Sequence, residues 1–318
     1  MSTREENGSP DGLSRRGLFR GATGIMAAAA AAAVPGVSHA APPRRRRKPT
    51  ATGPAVTKGR IKQSVANWCF MADCSVKPWS LEELCGNAAA LGIESVELVD
   101  PPDWPTLKKH GLICALSNSH GFVKGFNDKN NHAWCVEEIK KSVDATAAAG
   151  FPNVITFSGF RNGIPDDLGL DNSVEGLKKV VGYAEKNKVT LILEVLNSRV
   201  DKAMKGHPGY MGDTVEWCVE VCKRVGSPRL KILFDIYHVQ VMQGDIITRI
   251  KQYKDYIGHY HTAGCPGRNE LDDTQELNYP PIIRAIVESG YKGFVAQEFI
   301  PTRDPLQSLR EAVKLCDV

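Results

Sequence analysis

Two glutamates, an aspartate and a histidine each close a short apolar run: Glu194 in LILEVLN, Asp235 in KILFDIYH, His261 in IGHYHTAG and Glu298 in FVAQEFIP. Hydrophobic strands rarely end in carboxylates and imidazoles unless those ends meet around something. The parallel (β/α)8 TIM barrel is the architecture in which they meet, because its active site lies at the C-terminal ends of the strands. Glu194, Asp235, His261 and Glu298 would together form a hard, oxygen-rich ligand set suited to a divalent cation, Mn²⁺ or Mg²⁺ rather than a thiolate-bound metal. Without a cation, so many gathered carboxylates would repel one another.

A divalent ion holding a carbonyl and the adjacent hydroxyl acidifies the C–H between them and stabilises the enediolate left when that proton departs. One carboxylate can remove the proton from one side, and another can return a proton to the neighbouring carbon. Glu194 and Glu298 are assigned to this pair, both also touching the metal. His238, three residues after Asp235 in DIYH, is placed to orient a substrate oxygen, or is a hydrogen-bonded structural histidine. Arg268 in the CPGRNE loop suits an anionic substrate group, since guanidinium matches carboxylate bidentately. His259 is expected to face away from His261, so that only His261 enters the barrel. Asn118, His120 and Trp68 fall near the same mouth, where packing accounts for them. The chemistry implied is a metal-dependent isomerisation of small hydroxy-carbonyl compounds.

The elements that must hold these residues alternate throughout. Strands are predicted at 64–70, 95–99, 113–118, 153–158, 190–196, 231–237, 258–262 and 293–298, as apolar runs of the kind covered on both faces. Helices are predicted at 81–91, 134–149, 174–186, 214–225, 245–253, 281–289 and 305–316. Ser80 with Glu83 makes a capping box for the first of them. Eight strands alternating with helices over 61–318 give a single-domain barrel of typical size. No GxGxxG or GxxxxGK[ST] loop follows a strand, which weakens nucleotide-binding alternatives.

The remaining segments bear on location and partners. Arg15-Arg16 precedes an Ala-rich run from Gly21 to Val34, and Ser38-His39-Ala40 offers a cleavage site. Residues 1–40 therefore read as a cleaved twin-arginine signal peptide, too short and weakly apolar for a stable membrane span. The expected destination is the periplasm, with the enzyme folded and metal-loaded before export. Residues 41–60, including the basic run Arg44–Lys48, read as a Pro-rich linker. Of 40 basic and 36 acidic residues, 11 and 3 lie within 1–60, leaving the barrel with 29 against 33. The alkaline character thus belongs to the tail, and the barrel has no electrostatic footprint for nucleic acid. The expected partner is a small hydroxy-carbonyl or sugar substrate, with homo-oligomerisation left open. The nine cysteines are odd in number and irregularly spaced; they read mainly as buried thiols, with a Cys69–Cys74 pair allowed.

The segments LILEVLN, FDIYHVQVMQGD, IGHYHTAGCPGRNE, TQELNY and GYKGFVAQEFIP resemble the hydroxypyruvate isomerase family of xylose isomerase-like TIM barrels. The likeness runs over most of 61–318 and is densest from Leu191 to Pro301. It implies conversion of hydroxypyruvate to tartronate semialdehyde, with the family's two glutamates matching Glu194 and Glu298 and its metal-site aspartate matching Asp235. His238 and Arg268 match residues that the related ketose 3-epimerases use on substrate oxygens. The family often carries Gln at the position of His261, where the epimerases have His, so a ketose 3-epimerase or another exported sugar isomerase is the second reading. A sugar-binding barrel without catalysis is a third, and retention of both glutamates argues against it. A trinuclear zinc nuclease would need more strand-end histidines and a basic face.

Overall fold

A computed structural model describes residues 53–71 and 74–318. The segment read as a signal peptide (1–40) and the basic run that follows it lie outside the described residues. Residues 53–60, assigned above to the linker, instead pack on the barrel. Ala55 is buried, and the amides of Ala55 and Val56 donate to the Leu91 carbonyl at 2.9 and 3.1 Å. No helix among the described residues is long and apolar enough to cross a membrane.

Seven parallel strands form one curled sheet: β1 (Lys62–Ala66), β2 (Ser95–Glu97), β3 (Asn153–Thr156), β4 (Thr190–Glu194), β5 (Leu230–Asp235), β6 (Ile257–Thr262) and β7 (Phe294–Gln297). Their spatial order is β2-β1-β7-β6-β5-β4-β3. The gap between β2 and β3 is spanned by residues 113–117, which bridge in parallel from Ser95 to Ile113 and from Ser117 to Val154. The barrel therefore closes with eight staves, although the third is not a regular strand. The Ala115 amide donates to the Ser95 hydroxyl at 2.9 Å, so a side chain replaces one rung of the backbone ladder.

The helices are α1 (Leu81–Leu91), α2 (Trp104–Lys109), α3 (His132–Ala149), α4 (Asp166–Lys178), α5 (Val181–Lys186), α6 (Val215–Val225), α7 (Ile236–Met242), α8 (Ile246–Tyr253), α9 (Tyr279–Glu288) and α10 (Pro305–Cys316). The capping box forms as expected: Glu83 N–H donates to the Ser80 hydroxyl, and Ser80 N–H donates back to the Glu83 carboxylate at 2.8 Å. α1 stops at Gly92, whose φ of +84° is the left-handed turn that glycine reaches without a Cβ clash. The single helix expected over 174–186 is two helices, α4 beginning eight residues earlier where Asp166 and Asp167 complement its N-terminal dipole. The strand expected to reach Tyr237 ends at Asp235, where α7 begins.

Alternate residues of a stave face opposite ways, and this sorts the core into two. Leu191, Leu193, Ile232, Phe234 and Tyr260 belong to the large cluster with the helices, whereas Leu116, Ile155, Ile192 and Leu233 form a separate cluster. The opposite side of the lumen is polar: Ser64, Ser95, Glu97, His259 and His261 are all buried. Cys69 is a free, buried thiol, so the Cys69–Cys74 disulfide does not form.

The two ends of the fold are joined through Asp317. Its carboxylate accepts from the backbone amides of Thr57, Lys58 and Gly59 at 2.6, 2.7 and 2.9 Å, just before β1. Amide bonds to a charged acceptor are each worth ~1.5–3 kcal/mol, and the freed donors would stay partly buried. Asp317→Ala is accordingly expected to lower unfolding free energy by about 3 kcal/mol in urea titration. A loss below about 0.5 kcal/mol would show that this clasp does not hold the barrel together.

Candidate metal centre and active site

The strand registers bring the four site residues to one mouth. Asp235 pairs directly with His261 across β5 and β6, and Glu194 pairs with Leu233 across β4 and β5. Glu298 lies one residue beyond β7, its amide donating to the Thr262 carbonyl at 2.9 Å. Glu194, Asp235, His261 and Glu298 each offer one ligand atom, all within 4.8 Å of one another, and all four residues are buried. Opposite ligands of an octahedral Mg²⁺ stand about 4 Å apart at bond lengths of 2.0–2.1 Å, so this spacing fits such an ion after small side-chain adjustments.

His261 is the hinge of the cluster. Its Nδ1 faces Glu298 at 2.8 Å, Glu194 at 3.6 Å and Asp235 at 3.8 Å. On the other side of the ring, Nε2 lies 2.7 Å from Glu97. Burial pushes the Glu97 carboxyl upward, but His259 and His261 outweigh it and hold the group at about 2. An ionised carboxylate only accepts, so Nε2 donates to Glu97 and Nδ1 to Glu298. Burial lowers the imidazole's proton affinity, but Glu298, Glu194 and Glu97 outweigh it and raise it well above the ordinary value. An ion on Nδ1 would displace that second proton. His259 also bonds Glu97, at 3.0 Å, and therefore points into the lumen beside His261. This reverses the expectation that the two would face apart, because residues two apart on a strand share a face.

Asp235 is held by its own helix: it is the N-cap of α7, one oxygen accepting from the His238 amide at 2.9 Å. Its other oxygen, Oδ2, is buried with no hydrogen-bond partner. Burial drives this carboxyl up to about 8, against the pull of Arg268. Burial likewise raises Glu194. For Glu298, burial is overcome by Arg268 and His261, which hold it well below the usual carboxylate range. An orphaned carboxylate oxygen, two further carboxylates and an imidazole whose Nδ1 faces all three fit a hard divalent cation.

His238 accepts from the Asn197 amide through Nδ1 at 3.0 Å, which leaves Nε2 as an unpartnered buried donor 3.8 Å from Asp235. Arg268 sits in the left-handed region at φ +55°, an uncommon conformation outside glycine, with its amide on the Gly264 carbonyl. Its guanidinium donates to Glu298 at 2.5 Å and to the Met204 carbonyl at 2.9 Å, while Nε has no partner. Arg268 is thus engaged with a catalytic candidate rather than projecting freely to grip an anion. Trp68 donates its indole N–H to Glu298 at 3.0 Å and lies under the Arg268 cation at 4.9 Å, a role beyond the packing expected of it. His120 is packed among Phe126 and Phe157, and Asn118 lines the cavity.

Above the carboxylates opens a cavity of about 470 Å³, bounded by Trp68, Glu194, Arg268 and Glu298 at one end and by Phe122, Phe157 and Phe160 among its other walls. Such a volume lies in the range of small-molecule sites.

Residues 85–317 match the family of xylose isomerase-like TIM barrels, and the chain belongs to it. Among curated relatives, a Homo sapiens protein provisionally named hydroxypyruvate isomerase is 28% identical over 233 residues, covering 72% of this chain and 78% of its own. The 2-oxo-tetronate isomerase of Cupriavidus necator is 34% identical over 128 residues, covering 40% of this chain and 46% of its own. These relatives place the chain among isomerases. In structure it is similar to an AP endonuclease, family 2, from Brucella melitensis, with a TM-score of 0.69 and 24% identity, covering 78% of this chain and 97% of the other; at that identity the likeness speaks for the fold alone.

Glu97 is the functional candidate that the sequence reading missed. The signal was present in Ser95-Val96-Glu97, where two polar residues flank a valine and so share the inward face. Because Glu97 sets the tautomer and orientation of His261, Glu97→Gln is expected to weaken Mn²⁺ binding by about 10- to 100-fold in a calorimetric titration. Unchanged affinity would reduce Glu97 to a packing role.

Proposed function

We propose that this chain is a metal-dependent aldose–ketose isomerase of hydroxy-carbonyl compounds, of the type that converts hydroxypyruvate to tartronate semialdehyde. One observation supports this above the others. Three buried polar atoms without partners, Asp235 Oδ2, His238 Nε2 and Arg268 Nε, surround a pair of glutamates whose environments push their proton affinities apart. Unpaired buried groups are costly, so a site that keeps several together is built for something that completes them.

Glu194, Asp235, His261 and Glu298 would hold the ion, Mn²⁺ or Mg²⁺ by the hardness of the donors. When bound, such an ion supplies electrophilic polarisation of the carbonyl and hydroxyl oxygens. One glutamate takes the proton from the hydroxyl-bearing carbon, the C–H electrons become the double bond of the enediolate, and the carbonyl electrons move to oxygen. The other glutamate delivers a proton to the former carbonyl carbon as the original hydroxyl oxygen becomes the new carbonyl, its proton passing to the neighbouring oxygen. His238 Nε2 donates to a substrate oxygen, and Arg268 steadies Glu298. We further propose export to the periplasm on the strength of Arg15-Arg16 and the Ala-rich run; cell fractionation that finds the protein only in the cytosol would refute it.

The reaction is tested by incubating the Mn²⁺-loaded protein in D₂O with hydroxypyruvate and with ketoses, following deuterium by NMR. Wild type should place deuterium at the reacting carbons, and Glu298→Gln should cut the rate at least about 100-fold with the fold intact, as loss of a general base does. Retained exchange in that variant would remove Glu298 from the chemistry, and deuterium only at a ketose C3 would favour the epimerase reading.

A further inference from the structure

The lumen of this barrel is polar on one side and hydrocarbon on the other, and the cavity spans both. On the side of β1, β2 and β6, Ser64 donates to Glu97 at 2.7 Å, and His259 and His261 complete a hydrogen-bonded network. On the side of the third stave, β3, β4 and β5, Leu116, Ile155, Ile192 and Leu233 are buried together with Phe157, Leu196 and Tyr210. Glu298, just beyond β7, and Glu194, at the end of β4, line the cavity where the two sides meet, and Phe122, Phe157 and Phe160 extend the second. The Phe122 ring lies 6.1 Å from Phe157, 6.2 Å from Phe160 and 4.4 Å from His207, forming a continuous aromatic wall. At the mouth this wall faces water: Phe122 is 37% exposed and Met204, also a cavity residue, 44%.

A three-carbon hydroxy acid would occupy only the carboxylate end of a cavity of about 470 Å³. Its charged and hydroxylated groups would leave the aromatic wall wetted, forgoing the burial of that apolar surface. Resting on the isomerase reading above, we infer that the substrate is amphipathic: a hydroxy-carbonyl head that meets Glu194 and Glu298, joined to an aromatic or alkyl group that lies against Phe122, Phe157 and Phe160. His207 fits the same picture, because burial together with the nearby Arg268 lowers it to about 4, leaving a neutral ring edge-on to Phe122.

Three hydroxymethyl ketones that differ only in their third substituent decide the matter: hydroxypyruvate, dihydroxyacetone and 1-hydroxy-4-phenylbutan-2-one. Each is titrated calorimetrically into the full-length, Mn²⁺-loaded protein and into the Phe122→Ala variant, a change at a part-exposed position that spares the core. The phenyl ketone should bind about 10- to 100-fold more tightly than dihydroxyacetone, the gain that burying one phenyl ring brings. F122A should remove most of that preference. Equal affinities, tightest binding of hydroxypyruvate, or a preference that survives F122A would overturn the inference. Deuterium exchange at the hydroxymethyl carbon, measured in parallel, tests the isomerase reading separately. Exchange without a phenyl preference leaves an isomerase of small polar substrates, whereas a phenyl preference without exchange leaves an amphipathic-ligand site and removes the isomerase.

Discussion

Three carboxylates buried around one imidazole are the constraint on which this structure turns. Glu194, Asp235 and Glu298 are removed from water at the mouth of the barrel, with Arg268 and the His261 imidazole as their counter-charges. Burying like charges together is unfavourable unless something neutralises them. The protein's own groups do so unevenly: Arg268 and His261 serve Glu298, while burial drives the Asp235 carboxyl up to about 8. A divalent cation would relieve all three at once, and the interior is arranged as though for that purpose.

The arrangement reaches well below the four proposed ligands. Glu97 anchors both His261 and His259, and Ser64 in turn donates to Glu97, so a hydrogen-bonded chain from β1 through β2 to β6 fixes one ring nitrogen toward the mouth. Asp235 is fixed differently, by capping α7 with one oxygen and leaving the other unspent. The price of such a network is loss of hydrocarbon packing on that side of the lumen. The other side keeps it, and the cavity inherits the asymmetry.

Much of this was legible in the sequence, for definite reasons. Apolar runs ending in Glu194, Asp235, His261 and Glu298 announced strand ends that share a mouth, and parallel register then brings them together. The third stave was visible as an apolar run, but not that Ser95 would take the Ala115 amide and break its ladder. α7 was hidden because IYHVQVM continues the hydrophobicity of LFD; the sign of a helix was the capping Asp235 itself. Glu97 was hidden by brevity, since β2 has only three residues. The pairing of Arg268 with Glu298 depends on a loop conformation with φ +55° at Arg268, which no local pattern announces.

The most direct test is anomalous diffraction at the manganese edge from crystals of the full chain grown with Mn²⁺. A single strong peak within bonding distance of Glu194, Asp235, Glu298 and the Nδ1 of His261, with Glu97 still on Nε2, is the predicted result. No peak there, or manganese bound only at other residues, would contradict the claim that the buried carboxylates exist to hold an ion.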